Sequence, residues 1–159
     1  MTFDEAFERL LEHEGGYAND SADRGGETKY GISSKAYPHV NVKSLTKEQA
    51  KAIYKADFWD AVIFDETPRA IRFALFDMAV NSGVSFAAKQ LQKALGTYPD
   101  GDIGPVTRRA MALCGNGLKL ANRLHAQRLM AMTSMPTWGK HGKGWARRVA
   151  ENILWDNVE

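Results

Sequence analysis

The chain has 159 residues, of which 44% are hydrophobic and 25% are charged. This is the composition of one globular domain that is long enough to bury a core. No stretch approaches the roughly 20 apolar residues that span a bilayer, and the acidic, amphipathic start of the chain differs from a secretory signal peptide. The only cysteine, Cys114, excludes an intramolecular disulfide and a cysteine-rich metal site.

The net charge of +2 conceals an asymmetry between the two parts of the chain. Residues 1–66 contain 8 Lys and Arg against 13 Asp and Glu, a net charge of −5, whereas residues 67–159 contain 13 against 6, a net charge of +7. A basic half can be attracted to anionic envelope polymers or to nucleic acid. Charge alone does not choose between them, and a solvated helical surface is the simpler interpretation.

The first predicted element is a helix of about three turns that ends at Glu14. Thr2 and Glu5 have the spacing of a capping box, and apolar residues then recur at helical spacing: Phe3, Phe7, Leu10 and Leu11. The glycines at 15 and 16 end the helix and leave space beside the acid. A carboxyl group at such a boundary is partly shielded, which raises the pKa of a glutamate toward the range of a general acid.

Loops and a short hairpin are predicted for residues 15–45, with an extended segment from Thr28 to Ile32. A hairpin that folds over the end of the helix would bring Asp23 and Thr28 opposite Glu14. Two carboxyl groups on either side of a scissile bond are the usual arrangement for glycoside hydrolysis. In this interpretation Glu14 is the acid and Asp23 stays ionised, although the spacing leaves Asp20 and Glu27 as competitors for the role of Asp23.

Helices are predicted for most of the remaining chain. A second capping box at Thr46 opens a helix to about Val62, and further helices follow from Pro68, from Ser85 to Leu95, from Pro105, and from Leu118 to Thr133. The segment from Trp138 to Trp145 is predicted as a glycine-rich basic turn, before a last amphipathic helix to about Val158.

Four residues in these later elements call for separate interpretation. Asp77 falls within an apolar helical run, so it either pairs within the core or faces a cleft. Asn81 could contact a sugar amide or cap its helix. Arg147 and Arg148 are predicted to be exposed on the last helix.

The link between Leu91 and Thr107 contains a Leu-Gln, a Leu-Gly, an Asp-Gly and a Gly-Pro pair, and together they resemble small peptidoglycan-binding helical modules. A wall-binding element is one interpretation. We favour the other, in which this helix-turn-helix completes the catalytic fold. A DNA-binding helix-turn-helix is disfavoured, because the second helix offers only Arg108 and Arg109 as contacts.

The motif Glu14-Gly-Gly-Tyr17, the run from Gly25 to Ser33 and the run from Phe76 to Gly83 resemble glycoside hydrolase family 108, a group of N-acetylmuramidases. The resemblance implies that Glu14 is the catalytic residue. The order Glu14, Asp23, Thr28 is also similar to the Glu, Asp and Thr set of helical phage lysozymes. We therefore expect a mainly α, lysozyme-like domain over residues 1–159, with about seven helices and a small hairpin beside the cleft. Its catalytic part would be 1–90 and its module-like part 91–159.

The function predicted from these observations is an endolysin that hydrolyses the β-1,4 bond between N-acetylmuramic acid and N-acetylglucosamine. The catalytic residues would be Glu14, Asp23 and Thr28, and Tyr17, Tyr30 and Asn81 would bind substrate. We expect a monomer that binds peptidoglycan glycan strands, with no nucleic acid partner, no membrane insertion and neither cofactor nor metal. It would be made in the host cytoplasm without a signal peptide and would act on the wall in the periplasm after holin-type release.

Two alternatives remain open from the sequence. A lytic transglycosylase would cleave the same bond with one catalytic acid and would tolerate the loss of Asp23. A non-catalytic wall-binding protein would not need Glu14 at all. A zinc amidase is disfavoured, because the four histidines are scattered without the spacing of metal ligands.

Overall fold

The computed structural model describes residues 1–14 and 27–156. The chain divides into two compact units: an N-terminal unit, Thr2–Asp57, and a helical unit, which contains Met1 and Phe58–Glu159. Among the described residues, seven helices of eight residues or more accompany a single two-stranded sheet. The predicted mainly α, lysozyme-like fold is therefore confirmed, whereas the predicted parts 1–90 and 91–159 stay a prediction.

The N-terminal unit begins with helix α1, Phe3–Glu14. The predicted capping box is present, since the Thr2 amide donates to the Glu5 carboxylate at 2.6 Å and the Glu5 amide donates to the Thr2 hydroxyl at 3.3 Å. Phe7 and Leu10 are fully buried. The cap and the apolar face that the sequence predicted therefore define this helix.

Two short strands and a second helix complete the N-terminal unit. Strands β1, Thr28–Lys29, and β2, Ile32–Ser33, form an antiparallel pair. Helix α2, Lys47–Tyr54, begins at a capping box in which Thr46 and Gln49 exchange backbone and side-chain hydrogen bonds.

The helical segment that begins with α2 continues past the N-terminal unit. A π-helical turn, Lys55–Trp59, follows α2 and leads into the short helix α3, Asp60–Val62. The predicted extent of this segment, to about Val62, is confirmed. The π-helical turn within it was not predicted.

The helical unit is organised around helix α4, Arg69–Ser82, which is buried on most sides. The other long helices of this unit are α5, Val84–Leu95; α6, Pro105–Ala112; α7, Gly117–Thr133; and α8, Trp138–Asp156. Helix α4 packs against α5, α7 and α8. The predicted starts of α4, α5, α6 and α7 agree with the observed ones to within one residue.

The link between α5 and α6 is fixed by one buried side-chain amide. The Gln92 amide nitrogen donates to the Asp100 carboxylate at 2.6 Å, to the Asp102 carbonyl at 2.9 Å and to the Thr107 hydroxyl at 3.1 Å. Its oxygen accepts from the Gly101 amide at 2.9 Å. Because this amide is satisfied within the helical unit, the link is an integral part of that unit.

The predicted glycine-rich turn from Trp138 to Trp145 is wrong, since these residues form the first turns of α8. Each glycine in a helix costs about 1 kcal/mol relative to alanine, but ring packing opposes that cost here. A Cβ atom at Gly142 would lie 2.6 Å from the Trp138 ring, so glycine lets this ring lie against the helix. His141 stacks on Trp145 with ring centroids 5.7 Å apart.

Candidate active site

Glu14, the predicted general acid, is the last residue of α1. The helix that carries it is held against α2 by the Phe7 and Tyr54 rings, whose centroids lie 5.7 Å apart. The Glu14 side chain lies outside the described part of the chain, as do Tyr17, Asp20 and Asp23. Their predicted roles, and the approach of Asp23 to Glu14, stay predictions.

Thr28 and Tyr30 lie on the hairpin, whose register pairs Thr28 with Ser33 and Lys29 with Ile32. The two turn residues, Tyr30 and Gly31, have φ values of 52° and 76°. Positive φ at both positions is the requirement of a type I′ turn, which matches the twist of a two-stranded ribbon. The predicted hairpin is confirmed, and Tyr30 adopts a conformation that side chains other than glycine and asparagine seldom take.

A hydrogen bond from α2 stabilises this turn. The hydroxyl of Tyr54, itself buried, donates to the Tyr30 carbonyl at 3.0 Å. The left-handed backbone conformation costs a residue with a Cβ atom roughly 1–2 kcal/mol. The hydrogen bond from Tyr54 offsets this backbone strain at Tyr30 and so favours the observed turn over other turn types. Ile32 is buried on the following strand. The Tyr54 hydrogen bond thus attaches the hairpin that carries Thr28 to α2, and the burial of Ile32 adds apolar stabilisation to the same hairpin.

The backbone next to Thr28 is also paired. The Ser34 amide donates to the Glu27 carbonyl at 2.9 Å, which extends the ladder by one residue. Glu27 and Thr28 are both half-buried. Glu27, the competitor for the role of Asp23, therefore has a defined backbone position directly before Thr28.

Asp77 in the helical unit is fully buried and fully paired. One carboxylate oxygen accepts from Arg148 at 2.9 and 2.8 Å, and the other accepts from Arg128 at 2.7 Å and from Asn152 at 2.9 Å. Burial raises the pKa of Asp77, but the two guanidinium groups outweigh it and hold that pKa below its ordinary value. Of the two predicted alternatives for Asp77, pairing within the core is the one observed.

The prediction that Arg148 is exposed is wrong, because only 17% of its side chain is accessible. Arg148 is largely buried because it pairs with the buried carboxylate of Asp77. A buried carboxylate requires cationic partners, and these can come from residues far away in the sequence. Arg147, its neighbour, is exposed as predicted and pairs with Glu151 one turn later.

Asn81, the predicted substrate contact of this unit, lies in the last turn of α4. Its amide nitrogen donates to the Asp77 carbonyl at 2.8 Å and approaches the Asp77 carboxylate at 3.3 Å. Asn81 also lines a cavity of about 250 Å³ together with Ser82, Arg128, Met132, Met135, Thr137, Trp145 and Arg148. The buried carboxylate therefore helps to position the Asn81 side chain beside a cavity.

The spacing of the motifs did not predict Tyr54, Arg128 or Asn152 as partners of site residues. Tyr54 is 24 positions from Tyr30, and Arg128 and Asn152 are 51 and 75 positions from Asp77. The one available signal was Asp77 itself, since a carboxylate in an apolar helical run requires cationic partners.

Within residues 1–14 and 27–156, no cluster of three or more His, Cys, Asp or Glu side chains could hold a metal ion. In the same residues, no helix combines the length and the apolar character needed to cross a bilayer.

Comparisons with known proteins give the family context of these elements. The model of the family described as Glycosyl hydrolase 108 matches residues 7–83, the range that contains Glu14, the hairpin and Asn81. A solved structure of SagA from Brucella abortus superimposes with a TM-score of 0.86 at 33% sequence identity, and the match covers 98% of this chain and 94% of that one. No curated protein sequence matches the chain.

Proposed function

The chain belongs to glycosyl hydrolase family 108 and is therefore a glycoside hydrolase. We propose that its substrate is peptidoglycan and that it cleaves the β-1,4 linkage between N-acetylmuramic acid and N-acetylglucosamine. The enzyme acts as an N-acetylmuramidase of the endolysin type.

One observation carries this proposal: the family match spans Glu14, which is also the last residue of a helix with a defined anchor on α2. The carboxyl end of a helix carries a partial negative charge that disfavours an ionised carboxylate. A group that must deliver a proton benefits from that position. The hairpin in the same unit carries Thr28 on a backbone that the Tyr54 hydrogen bond stabilises, which supports the role proposed for Thr28.

The proposed reaction assigns one role to each residue. Glu14 donates its proton to the glycosidic oxygen as the bond to the anomeric carbon breaks. Asp23 accepts a proton from a water molecule whose oxygen bonds to that carbon, and the Thr28 hydroxyl orients this water. If the two carboxyl groups lie about 6.5–9.5 Å apart the anomeric centre inverts, whereas about 5–5.5 Å would give a covalent intermediate and retention.

Digestion of purified peptidoglycan, with products identified by mass spectrometry, tests the proposal. We expect reducing muramic acid ends from the wild type and a loss of rate of about 10²–10⁴-fold in Glu14→Gln, the usual contribution of a general acid. Glu12→Gln is the matched control, because Glu12 is an exposed glutamate on the same helix. Its activity should equal that of the wild type.

Other products would identify the alternatives. Anhydro ends, with Asp23→Asn still active, would indicate a lytic transglycosylase. Binding of sacculi without clearing, unchanged in Glu14→Gln, would indicate a wall-binding protein. The endolysin role has its own test: expression in a bacterial cytoplasm should lyse the cells only when a holin is expressed with the enzyme.

A further inference from the structure

The cavity beside Asn81 is formed by residues of the helical unit and has a volume of about 250 Å³. The last turn of α4, the end of α7 and the middle of α8 surround it. Its lining combines amide and hydroxyl groups, two guanidinium groups and apolar side chains: Asn81, Ser82, Thr137, Arg128, Arg148, Met132, Met135 and Trp145. We call this feature the Asn81 cavity. A ligand that fits it must be small and must combine polar with apolar parts.

The hydrogen bonds of Asn81 determine which atom of its side chain remains for a ligand. The amide nitrogen donates to the Asp77 carbonyl at 2.8 Å and to the Asp77 carboxylate at 3.3 Å. A carbonyl only accepts, and the carboxylate is ionised because its pKa is lowered, so the nitrogen and not the oxygen of Asn81 must face them. Within the described residues no hydrogen bond uses the Asn81 side-chain oxygen. That oxygen is therefore an acceptor available to a ligand.

The core of the helical unit fixes this orientation of Asn81. One oxygen of the Asp77 carboxylate accepts from Arg128 and Asn152, which are both fully buried. The other oxygen accepts from Arg148 and from the Asn81 amide nitrogen. Because the two buried partners hold the carboxylate in place, the oxygen that faces Asn81 has a defined position.

A second polar group at the Asn81 cavity calls for a ligand. The Nε–H of Arg128 is buried and forms no hydrogen bond within the described part of the chain, and Arg128 lines the cavity. A buried donor without an acceptor is costly, so this N–H indicates a ligand that carries an acceptor. Met132, Met135 and the Trp145 ring add apolar surface. The lining therefore suits a ligand with a donor, an acceptor and a small apolar group.

We propose that Asn81 is a specificity-determining residue that recognises the acetamido group of a substrate sugar, with its side-chain oxygen accepting from the acetamido N–H. This group combines the three required features, since it carries an N–H donor, a carbonyl acceptor and a methyl group. A hydroxyl would supply a donor but no methyl group, and a carboxylate would supply no donor at all. The choice of a sugar as the carrier of the acetamido group rests on the proposed function.

The experiment compares two ligands without a β-1,4 bond, so that binding does not depend on which bond the enzyme cleaves. They are the methyl β-glycoside of N-acetylglucosamine and its acetoxy analogue, in which an ester oxygen replaces the N–H. Each is titrated into the full chain and followed by NMR. We expect the acetamido ligand to shift the side-chain resonances of Asn81 and Trp145. The acetoxy analogue should bind at least about fivefold more weakly, because its ester oxygen cannot donate.

Asn81→Ala tests which atom recognises the N–H. Without the acceptor oxygen, the Kd values of the two ligands should lie within about twofold of each other. Asn116→Ala is the matched control, because Asn116 is also an exposed asparagine but caps α7 and does not line the cavity. It should discriminate between the ligands as the wild type does. Circular dichroism should show the wild-type fold in both variants, since both replaced side chains are exposed.

Hydrogen exchange of the asparagine side chains tests the orientation of Asn81 without any substitution. The amide hydrogens of Asn81 are bonded to Asp77, whereas Asn116 uses its oxygen, which accepts from the Lys119 amide at 2.9 Å. We expect the Asn81 side-chain hydrogens to exchange at least about fivefold more slowly than those of Asn116. Equal exchange rates would overturn the proposal.

Equal binding of the two ligands by the wild type would also overturn it, as would discrimination that survives in Asn81→Ala. On soluble peptidoglycan fragments, Asn81→Ala should raise KM and leave kcat nearly unchanged, as expected for a contact that the bound substrate already makes. If the wild type discriminates between the ligands but leaves peptidoglycan intact, the proposed function fails and the acetamido site stands. If peptidoglycan is digested but neither ligand binds, the reverse holds.

Discussion

The two compact units of this chain differ in whether the ion pairs described in them include a buried one. In the helical unit Asp77 is fully buried, and its partners Arg128 and Arg148 have only 1% and 17% of their side chains accessible. In the N-terminal unit the described ion pairs lie at the surface. Lys47 pairs with Glu8, and both side chains are more than 40% accessible.

This difference indicates that buried ion pairs stabilise the helical unit, whereas the N-terminal unit, which carries the proposed catalytic residues, does not depend on ion pairs for its stability. Removing one partner of a buried ion pair costs about 3–5 kcal/mol, whereas an exposed pair contributes about 0–1 kcal/mol. The helical unit thus depends on a network of polar contacts in its core. The N-terminal unit, which carries Glu14 and Thr28, relies on caps, on the Phe7–Tyr54 contact and on the hairpin anchor. We infer that substitutions at its surface charges leave the fold largely unchanged.

Asp77→Ala tests this difference at its strongest point. The change leaves two guanidinium groups in the core without their carboxylate, so the free energy of unfolding should fall by about 3–5 kcal/mol. Urea denaturation followed by circular dichroism measures it. Glu151→Ala is the control: it also removes a carboxylate paired with an arginine, but the Arg147 partner is 83% accessible, and the loss should stay below about 1 kcal/mol.

The pH dependence of stability provides a second readout for Asp77. Its pKa is lowered in the folded protein, so its stabilising contribution is present above the ordinary aspartate pKa. That contribution is lost as the pH falls through the lowered folded value. Asp77→Asn should reduce the loss of stability below about pH 4. A wild-type acid profile that Asp77→Asn leaves unchanged would contradict this account of the core.

Elements whose ends are set by neighbouring residues could be predicted from the sequence. The capping boxes at Thr2 and Thr46 and the proline at position 105 fixed three helix starts within one turn of chain. The apolar spacing of Phe7 and Leu10 identified the buried face of α1. In each case the information lies within a few residues of the element that it defines.

Features that depend on distant partners could not be predicted in the same way. The start of α8 was missed because the ring of Trp138 lies over Gly142 and favours a helix where glycine content alone indicates a turn. Arg148 was assigned to solvent because its partner is 71 residues away. The candidate acid Glu14 followed from a local motif, but the Tyr54 contact that fixes the hairpin has no sequence signature.

Tyr54→Phe tests whether the hairpin anchor serves catalysis more than stability. Losing one hydrogen bond should lower the free energy of unfolding by about 0.5–1.5 kcal/mol, while kcat on peptidoglycan should fall further if Thr28 loses its position. Tyr37→Phe is the matched control, because it also removes one tyrosine hydroxyl from the same unit, but that hydroxyl donates to Asp57 at 2.8 Å and not to the hairpin turn. Equal activity of the two variants would remove the hairpin anchor from the mechanism.

The smallest effect is expected at the surface pair of Lys47 and Glu8, whose charged atoms lie 2.6 Å apart. A double-mutant cycle of Lys47→Met and Glu8→Gln should give a coupling energy of about 0.2–1 kcal/mol. Salt should reduce it further, since both side chains are accessible to screening ions. A salt-independent coupling of about 3 kcal/mol would mean that the N-terminal unit depends on its ion pairs as the helical unit does. The two units would then not differ in how far their stability depends on ion pairs.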